Sequence, residues 1–176
     1  MHKVMAMVVV GWIVLFSCGS HLLKEKDSVE WMKIHDLPSA LQKQKKPVLI
    51  DLYTDWCGWC KVMDKKTYTD KKLIDYLQQK FYTVKLNAET KEKISWAGKH
   101  FQFNPSYQTH DFAIYLTQGR LSYPSTVIIP VDGTPPQVIP GYLTPKQLEV
   151  IVTYFGEGHY GKISFDQYQQ KFKSQW

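Results

Sequence analysis

The sequence DLYTDWCGWCK, residues 51–61, places two cysteines three positions apart, and each of them follows a tryptophan. Pro47 precedes VLIDLY, a largely apolar run that is suited to a strand buried in the middle of a sheet. The residues from the second cysteine onward have helical composition. We therefore expect Cys57 and Cys60 to lie where a strand meets a helix, and their role decides the function.

Three roles are open to this pair: a structural disulfide, part of a metal site, or a redox-active dithiol. A disulfide across two intervening residues removes little chain entropy, so it would stabilise the fold weakly. Zinc normally needs four ligands, and the six histidines form no second cluster at a metal-binding spacing. His100 and His110 could join such a site only through the fold. Redox cycling fits the pair better, and we predict neither a metal nor an organic cofactor.

The redox hypothesis gives each cysteine a separate task. Cys57 would lie at a helix N-terminus, where unpaired backbone N–H groups and the helix dipole favour an anion and lower the thiol pKa. Its thiolate would attack a substrate disulfide, and Cys60 would resolve the mixed disulfide. We expect one sulfur to face outward and the other inward.

Length and composition indicate one ordinary globular domain. The chain has 176 residues, of which 44% are apolar, 22% charged and 14% aromatic. Its net charge is +6, but the lysines are scattered among acidic residues. No basic run is long enough to indicate a nucleic-acid partner.

The N-terminal residues indicate export. Residues 1–17 combine a short basic start with thirteen uncharged, mostly apolar residues, which are too few to cross a bilayer as a helix. The sequence LFSC resembles the lipobox of bacterial lipoproteins, in which the cysteine, here Cys18, carries the lipid. The alternative is an ordinary secreted protein that loses Cys18. We predict a signal peptide over 1–17, a tether over 18–27 and one folded domain over 28–176.

The remaining elements alternate between helix and strand. Helical segments are predicted within 28–46, interrupted by Pro38, and at 69–80, 91–101 and 109–120, the last with Thr109 as N-cap and Gly119 as stop. Strands are predicted at 81–86 and in an antiparallel pair around Asp132-Gly133. Capping boxes at Thr144 and Ser164 begin the last two helices. The order implies an α/β fold with helices on both faces of a mixed sheet.

Several separated segments resemble the thioredoxin family. VLIDLYTDWCGWCK is similar to the active-site strand and turn of that family, TVKLNAE to its next strand, and Tyr123-Pro124-Ser125-Thr126 to its cis-proline loop. The similarity covers residues 45–157, and the export signal and SYPSTVII are most similar to bacterial envelope members. The resemblance implies a thioredoxin fold with a helical insert before the cis-proline loop.

The resemblance also implies roles for residues around the cysteines. Asp51 matches the buried acid behind the inner cysteine, and Lys85 matches the lysine that partners this acid. Desolvation would raise the pKa of Asp51 and Lys85 would lower it. The backbone of Tyr123, beside Pro124, would pair with an extended substrate. The residues predicted to contact substrate are Trp56, Gly58, Trp59, Tyr123 and Pro124.

Two positions depart from thioredoxin itself. The dipeptide between the cysteines is Gly58-Trp59 rather than Gly-Pro, and Tyr123 stands where an aliphatic residue is usual. Both positions influence redox potential and partner choice in the family. The aromatic-rich segment 95–116 could cover the cysteines, but we expect most of its rings to pack against the sheet.

The sequence therefore predicts an exported, lipid-anchored periplasmic thiol–disulfide oxidoreductase that reduces protein disulfides. Its expected partners are disulfide-bonded proteins, a membrane electron donor and, through Cys18, a bacterial membrane. One alternative is a disulfide oxidase or isomerase. Another is a lipoprotein adaptor that uses the scaffold for binding and leaves the cysteines idle.

Overall fold

The structure is a computed structural model that describes residues 27–176. The predicted signal peptide, Cys18 and almost all of the predicted tether lie outside the described residues. Within residues 27–176, no helix is both long and apolar enough to span a membrane.

The described chain alternates helices and strands. The helices are α1 (Leu37–Lys43), α2 (Gly58–Lys66), α3 (Lys71–Lys80), α4 (Asp111–Thr117), α5 (Pro145–Gly156) and α6 (Phe165–Lys171), and a 3-10 turn (Ile34–Asp36) precedes α1. The strands are β1 (Val48–Tyr53), β2 (Tyr82–Asn87), β3 (Ile94–Trp96), β4 (Lys99–Phe101), β5 (Phe103–Asn104), β6 (Thr109–His110), β7 (Ser125–Ile129) and β8 (Gln137–Pro140).

A four-stranded mixed sheet in the order β2-β1-β7-β8 forms the centre of the fold. Strand β1 runs parallel to β2 and antiparallel to β7, and β7 runs antiparallel to β8. Nearly all of β1 is buried, as its apolar sequence predicts for an inner strand. The predicted α/β architecture is confirmed.

Helices cover the two faces of the sheet and create two apolar cores. Leu49 of β1 and Ile128 of β7 contribute to the core beneath α2, α3 and α5. Ile50 and Val127 contribute to the opposite core with α1 and α4. Because side chains alternate along a strand, Asp51 shares the first face with Leu49, and Thr126 shares it with Ile128. This alternation places a carboxylate inside an apolar core.

The segment 91–101, predicted as a helix, is instead a β-hairpin of β3 and β4. Its two-residue turn consists of Ala97 and Gly98, with φ of 49° and 75°. Positive φ at both central positions is characteristic of the turns that best suit the twist of a hairpin. Ile94 and Trp96 lie two apart, so they point to one side of β3 and pack against the second core. The alternate packing of β3 side chains and the two-residue turn therefore make this segment a hairpin, although its composition is helical.

Two predicted helix boundaries are also wrong. Pro38 lies in the first turn of α1 and does not interrupt it, because proline fits where no intrahelical N–H partner is needed. His110, not Thr109, is the N-cap of α4: its ring nitrogen accepts a hydrogen bond from the Phe112 N–H. Both predicted capping boxes, at Thr144 and Ser164, are confirmed.

Candidate active site

The cysteine pair lies between β1 and α2. Cys57 is the N-cap of α2, and Cys60 lies in its first turn. The two residues form a disulfide, with 5.3 Å between their Cα atoms. The Cys60 backbone N–H also donates a hydrogen bond of 3.1 Å to the Cys57 Sγ. The helix N-terminus therefore directs a backbone donor at the sulfur that is predicted to become a thiolate.

The two cysteines differ less in exposure than the sequence suggests. Cys57 is 5% exposed and Cys60 2% exposed. The tryptophans that precede them, Trp56 and Trp59, are 67% and 63% exposed. A partner that approaches the disulfide therefore encounters aromatic surface beside a small exposed edge of Cys57.

A buried carboxylate lies on β1, the strand that leads into the cysteine turn. Asp51 is 1% exposed, and register pairs it with Lys85 on β2, whose Nζ lies 3.7 Å from Asp51 Oδ2. Burial raises the pKa of Asp51 to about 6, although Lys85 acts in the opposite direction. An acid with this pKa can exchange a proton near neutral pH.

A second carboxylate, which the sequence reasoning missed, shares the same lysine. Asp64 Oδ1 forms an ion pair and a hydrogen bond with Lys85 Nζ. Asp64 lies four residues after Cys60, so both residues project from the same face of α2. That spacing was the signal that could have identified it. Its negative charge contributes to the raised pKa of Asp51.

Two hydroxyl groups complete the surroundings of Asp51, and the sequence reasoning missed both. Thr126 lies opposite Asp51 in the β1–β7 register. Tyr68, between α2 and α3, interacts with Asp51 closely enough that each affects the pKa of the other. We call Asp51, Asp64, Tyr68, Lys85 and Thr126 the inner polar cluster.

The loop before β7 has the conformation that the family resemblance implies. The Tyr123–Pro124 peptide bond is cis. The Tyr123 hydroxyl lies 3.4 Å from Thr109 Oγ1, and its ring meets the Trp56 ring edge to face at 5.9 Å. The cis-proline loop therefore contacts the cysteine turn through the aromatic rings of Tyr123 and Trp56.

Aromatic side chains surround the cysteine turn on the outer side. The Trp56 Nε1–H donates a hydrogen bond of 2.8 Å to Glu89 Oε1. The Trp59 ring lies 5.6 Å from the Tyr142 ring, a contact that the sequence did not indicate. Gly58 lies between the two tryptophans in the sequence, and the position that a Cβ would occupy there is open. We call Trp56, Trp59, Tyr123 and Tyr142 the aromatic rim.

Most aromatic rings of the segment 95–116 pack inward, as expected. Trp96 and Phe101 lie 6.1 and 5.1 Å from Phe112, which is fully buried. Tyr107, in the turn between β5 and β6, is an exception and is 70% exposed. The segment therefore supports the second core more than it covers the cysteines.

The two histidines considered for zinc have local hydrogen-bond partners. His110 caps α4 and places Nε2 2.9 Å from the Glu92 carbonyl oxygen, and burial lowers its pKa. His100 Nδ1 lies 2.8 Å from Ser95 Oγ. Across residues 27–176, no group of three or more histidine, cysteine or acidic side chains is arranged to hold a metal ion.

The chain belongs to the thioredoxin-like domain family, whose sequence pattern matches residues 35–156. This match confirms both the predicted resemblance and the predicted thioredoxin fold. Membership of this family, together with a disulfide-forming CGWC sequence, supports thiol–disulfide oxidoreductase activity.

Among individual proteins, the chain is 46% identical over 46 residues to the thiol:disulfide interchange protein DsbD of Pectobacterium atrosepticum. That stretch covers 26% of this chain and 8% of the relative, so the chain matches a small part of a much longer protein.

Two solved structures share the fold. A thioredoxin-fold protein from Helicobacter pylori has a TM-score of 0.53 at 19% identity, over 72% of this chain and 79% of that one. DsbH oxidoreductase has a TM-score of 0.53 at 12% identity, over 76% and 88%. At these identities the likeness concerns the fold alone.

Proposed function

We propose that this protein reduces protein disulfides outside the cytoplasm through a Cys57–Cys60 dithiol–disulfide cycle. The observation that carries the proposal is the disulfide at the N-terminus of α2, which directly follows β1, the strand that holds the buried acid Asp51. The short matched segment of an interchange protein supports the same chemistry.

The cycle begins with both cysteines reduced. The Cys57 thiolate attacks one sulfur of the substrate disulfide, and the other substrate sulfur leaves as a thiolate that takes a proton from water. Cys60 then passes its proton to Asp51 and attacks the Cys57 sulfur. The bond to the substrate breaks, its second sulfur leaves as a thiolate, and a Cys57–Cys60 disulfide forms. Two electrons pass from the protein to the substrate.

The inner polar cluster supplies the proton acceptor in this scheme. Asp51 is the base, and Lys85 stabilises its charged form from 3.7 Å. Lys85 is itself 21% exposed at its side chain, so it joins the buried acid to solvent. The proton that Asp51 accepts can leave along this route before the next cycle.

The aromatic rim supplies the docking surface in this scheme. Exposed tryptophan rings beside Cys57 favour extended, partly apolar polypeptide. The cis-proline loop, with Tyr123 and Pro124, contacts the same turn through the Tyr123 and Trp56 rings and would align the substrate backbone. Gly58 leaves room for a chain to approach closely.

Export and anchoring form part of the proposal. A signal peptide over 1–17 would direct the chain out of the cytoplasm, and lipid on Cys18 would hold it at a bacterial membrane through the tether. In that compartment electrons would come from a membrane donor protein. Globomycin treatment of cells tests the anchor: accumulation of an unprocessed chain supports lipidation at Cys18, and unchanged processing contradicts it.

Insulin reduction by the purified full chain with dithiothreitol tests the chemistry. We expect the wild type to exceed dithiothreitol alone and Cys57→Ser to fall to the rate of dithiothreitol alone. A wild type that is no faster than dithiothreitol alone would favour the alternative function, a lipoprotein adaptor whose cysteines are idle. The reduction potential separates a reductase from an oxidase or isomerase.

Trapping in cells tests the substrate class. Cys60→Ala leaves the mixed disulfide on Cys57 unresolved, so substrates remain attached and can be identified after gel separation without reductant. The matched control is the double variant Cys57→Ala/Cys60→Ala, which should capture none. Equal recovery from both variants would contradict the cycle.

A further inference from the structure

Three buried oxygen atoms of the inner polar cluster have no hydrogen-bond partner among the residues that the structure describes. They are Asp51 Oδ1, Tyr68 Oη and Thr126 Oγ1. Buried polar groups are nearly always paired, because an unpaired one loses its interactions with water without replacement. Three such atoms in one cluster identify it as a place where a new hydrogen bond can form without the loss of an existing one.

Strand geometry and residue contacts bring the three side chains to one place. Asp51 and Thr126 are opposite partners on β1 and β7 and point to the same face of the sheet. Tyr68 belongs to the core that covers this face and is 1% exposed. Both Asp51 and Thr126 influence the pKa of its hydroxyl. The tyrosine hydroxyl therefore belongs to the same buried cluster as the carboxylate and the threonine.

The backbone and ring of Tyr68 are held in place. Its carbonyl oxygen accepts a hydrogen bond from the Val29 N–H at 3.0 Å, and its N–H donates to the Met63 carbonyl at 3.1 Å. Its ring meets the Trp31 ring edge to face at 4.8 Å. Burial raises the pKa of Tyr68 well above its ordinary value, so the hydroxyl keeps its proton and stays a donor.

We propose that Tyr68 is a positioning residue for the proton transfer, and that its hydroxyl donates a hydrogen bond to the Asp51 carboxylate once Asp51 is ionised. Thr126 supports the tyrosine oxygen from the opposite strand. Asp51 then has two stabilising neighbours, Lys85 at Oδ2 and Tyr68 at Oδ1. This proposal rests on the proposed function, because it concerns the residue that accepts the Cys60 proton.

Other charged or titratable groups also face Asp51. Lys85 reaches it from β2, Asp64 adds negative charge from α2, and Tyr53 lies on the same strand. Cys60 faces it in the reduced protein under the proposed cycle. Tyr68→Phe leaves all of these groups in place and removes one donor. Its effect therefore isolates the tyrosine hydroxyl.

The test is the pH titration of the Asp51 carboxyl, followed by carbon NMR in the full chain. Without the tyrosine donor the charged form is less stable, so we expect Tyr68→Phe to raise the Asp51 pKa by about one pH unit. The pH profile of the rate at which Cys60 resolves a mixed disulfide on Cys57 should shift to higher pH by the same amount. Thr126→Val should raise the Asp51 pKa by a smaller amount.

Two comparisons make the test specific. Tyr154→Phe removes another buried tyrosine hydroxyl, which donates to the Ile163 carbonyl, and should leave the Asp51 titration unchanged. In an Asp51→Asn background, Tyr68→Phe should cause no further change in the resolving rate. An unshifted Asp51 titration in Tyr68→Phe overturns the proposal. The proposal is also overturned if Tyr68→Phe slows the resolving step equally in the wild type and in the Asp51→Asn variant.

The titration also separates this proposal from the proposed function. It is measured on the folded protein and does not depend on turnover. A protein that does not reduce insulin would contradict the proposed function, and the shifted titration would still support the hydrogen bond. A reductase with an unshifted titration would contradict only the role of Tyr68.

Discussion

The two sides of the Cys57–Cys60 disulfide differ in charge and in exposure to solvent. Behind it, the inner polar cluster combines charged groups with buried hydroxyls, and Asp51 has almost no contact with solvent. In front of it, the aromatic rim presents two tryptophans that are about two-thirds exposed. Charges act strongly where water is excluded, whereas large rings bind partners where water can be displaced.

The two sides would therefore have separate tasks in the proposed cycle. Under the proposed function, groups behind the disulfide would control when a proton moves, and groups in front would control which molecule binds. Changes in the inner polar cluster should therefore alter pH dependence and stability. Changes in the aromatic rim should alter substrate affinity and leave the pH midpoint in place.

The largest effect is expected for Asp51→Asn. Burial raises the Asp51 pKa from 3.8 to about 6, so the folded state binds this proton more tightly than the unfolded chain. Stability must then fall as the pH rises through this interval, by about 1.4 kcal/mol per pH unit. Asparagine has no charge to desolvate. We expect the variant to be about 3 kcal/mol more stable at pH 7 in denaturant unfolding of the oxidised protein.

The matched control is Asp55→Asn, which changes an exposed carboxylate beside the aromatic rim. Its effect on unfolding should stay within about 0.5 kcal/mol. The gain from Asp51→Asn should disappear below pH 3.8, where the carboxyl is protonated in both states. A gain that is independent of pH would show that desolvation of the charge is not its cause.

The second effect concerns the aromatic rim. Trp59→Ala removes an exposed ring that contacts Tyr142 and borders the cysteines. We expect kcat/KM for a protein disulfide to fall about 10-fold, or about 1.4 kcal/mol, mainly through KM. The pH midpoint should not move. Tyr107→Ala, which removes another exposed ring, should change neither quantity, and a shifted pH midpoint in Trp59→Ala would break the division between the two sides.

The smallest effect concerns the acceptor that orients Trp56. Glu89→Ala removes the partner of the indole N–H, a hydrogen bond to a charged group. We expect kcat/KM to fall about 3- to 5-fold, with a change in tryptophan fluorescence. Glu89→Gln retains an acceptor oxygen and should restore much of the activity. Equal losses in both variants would indicate that the charge of Glu89, rather than orientation of the ring, matters.

The sequence was sufficient for the features that have strong local patterns. The apolar run of β1 identified an inner strand, and the capping boxes identified α5 and α6. The position of the cis-proline came from the family resemblance, since proline alone does not determine the isomer. These features depend on neighbours in sequence or on several matched segments together.

The missed features depend on contacts between distant residues. Lysine and glutamate gave residues 91–101 a helical composition, whereas Ile94 and Trp96 both pack against the second core from one side of a β-hairpin. Asp64 could have been found from its spacing to Cys60. Tyr68 and Thr126 could not, because nothing in the sequence shows that a loop tyrosine lies over a threonine of β7.

The hairpins before α4 have a consequence for the evolution of this protein. Strands β3–β4 and β5–β6 form two small sheets of their own and do not extend the four-stranded sheet. Insertions or deletions at their turns would leave the register of β1 with β2 and β7 intact. Relatives could therefore diversify this segment while the cysteine turn and the four-stranded sheet that supports it stay constant.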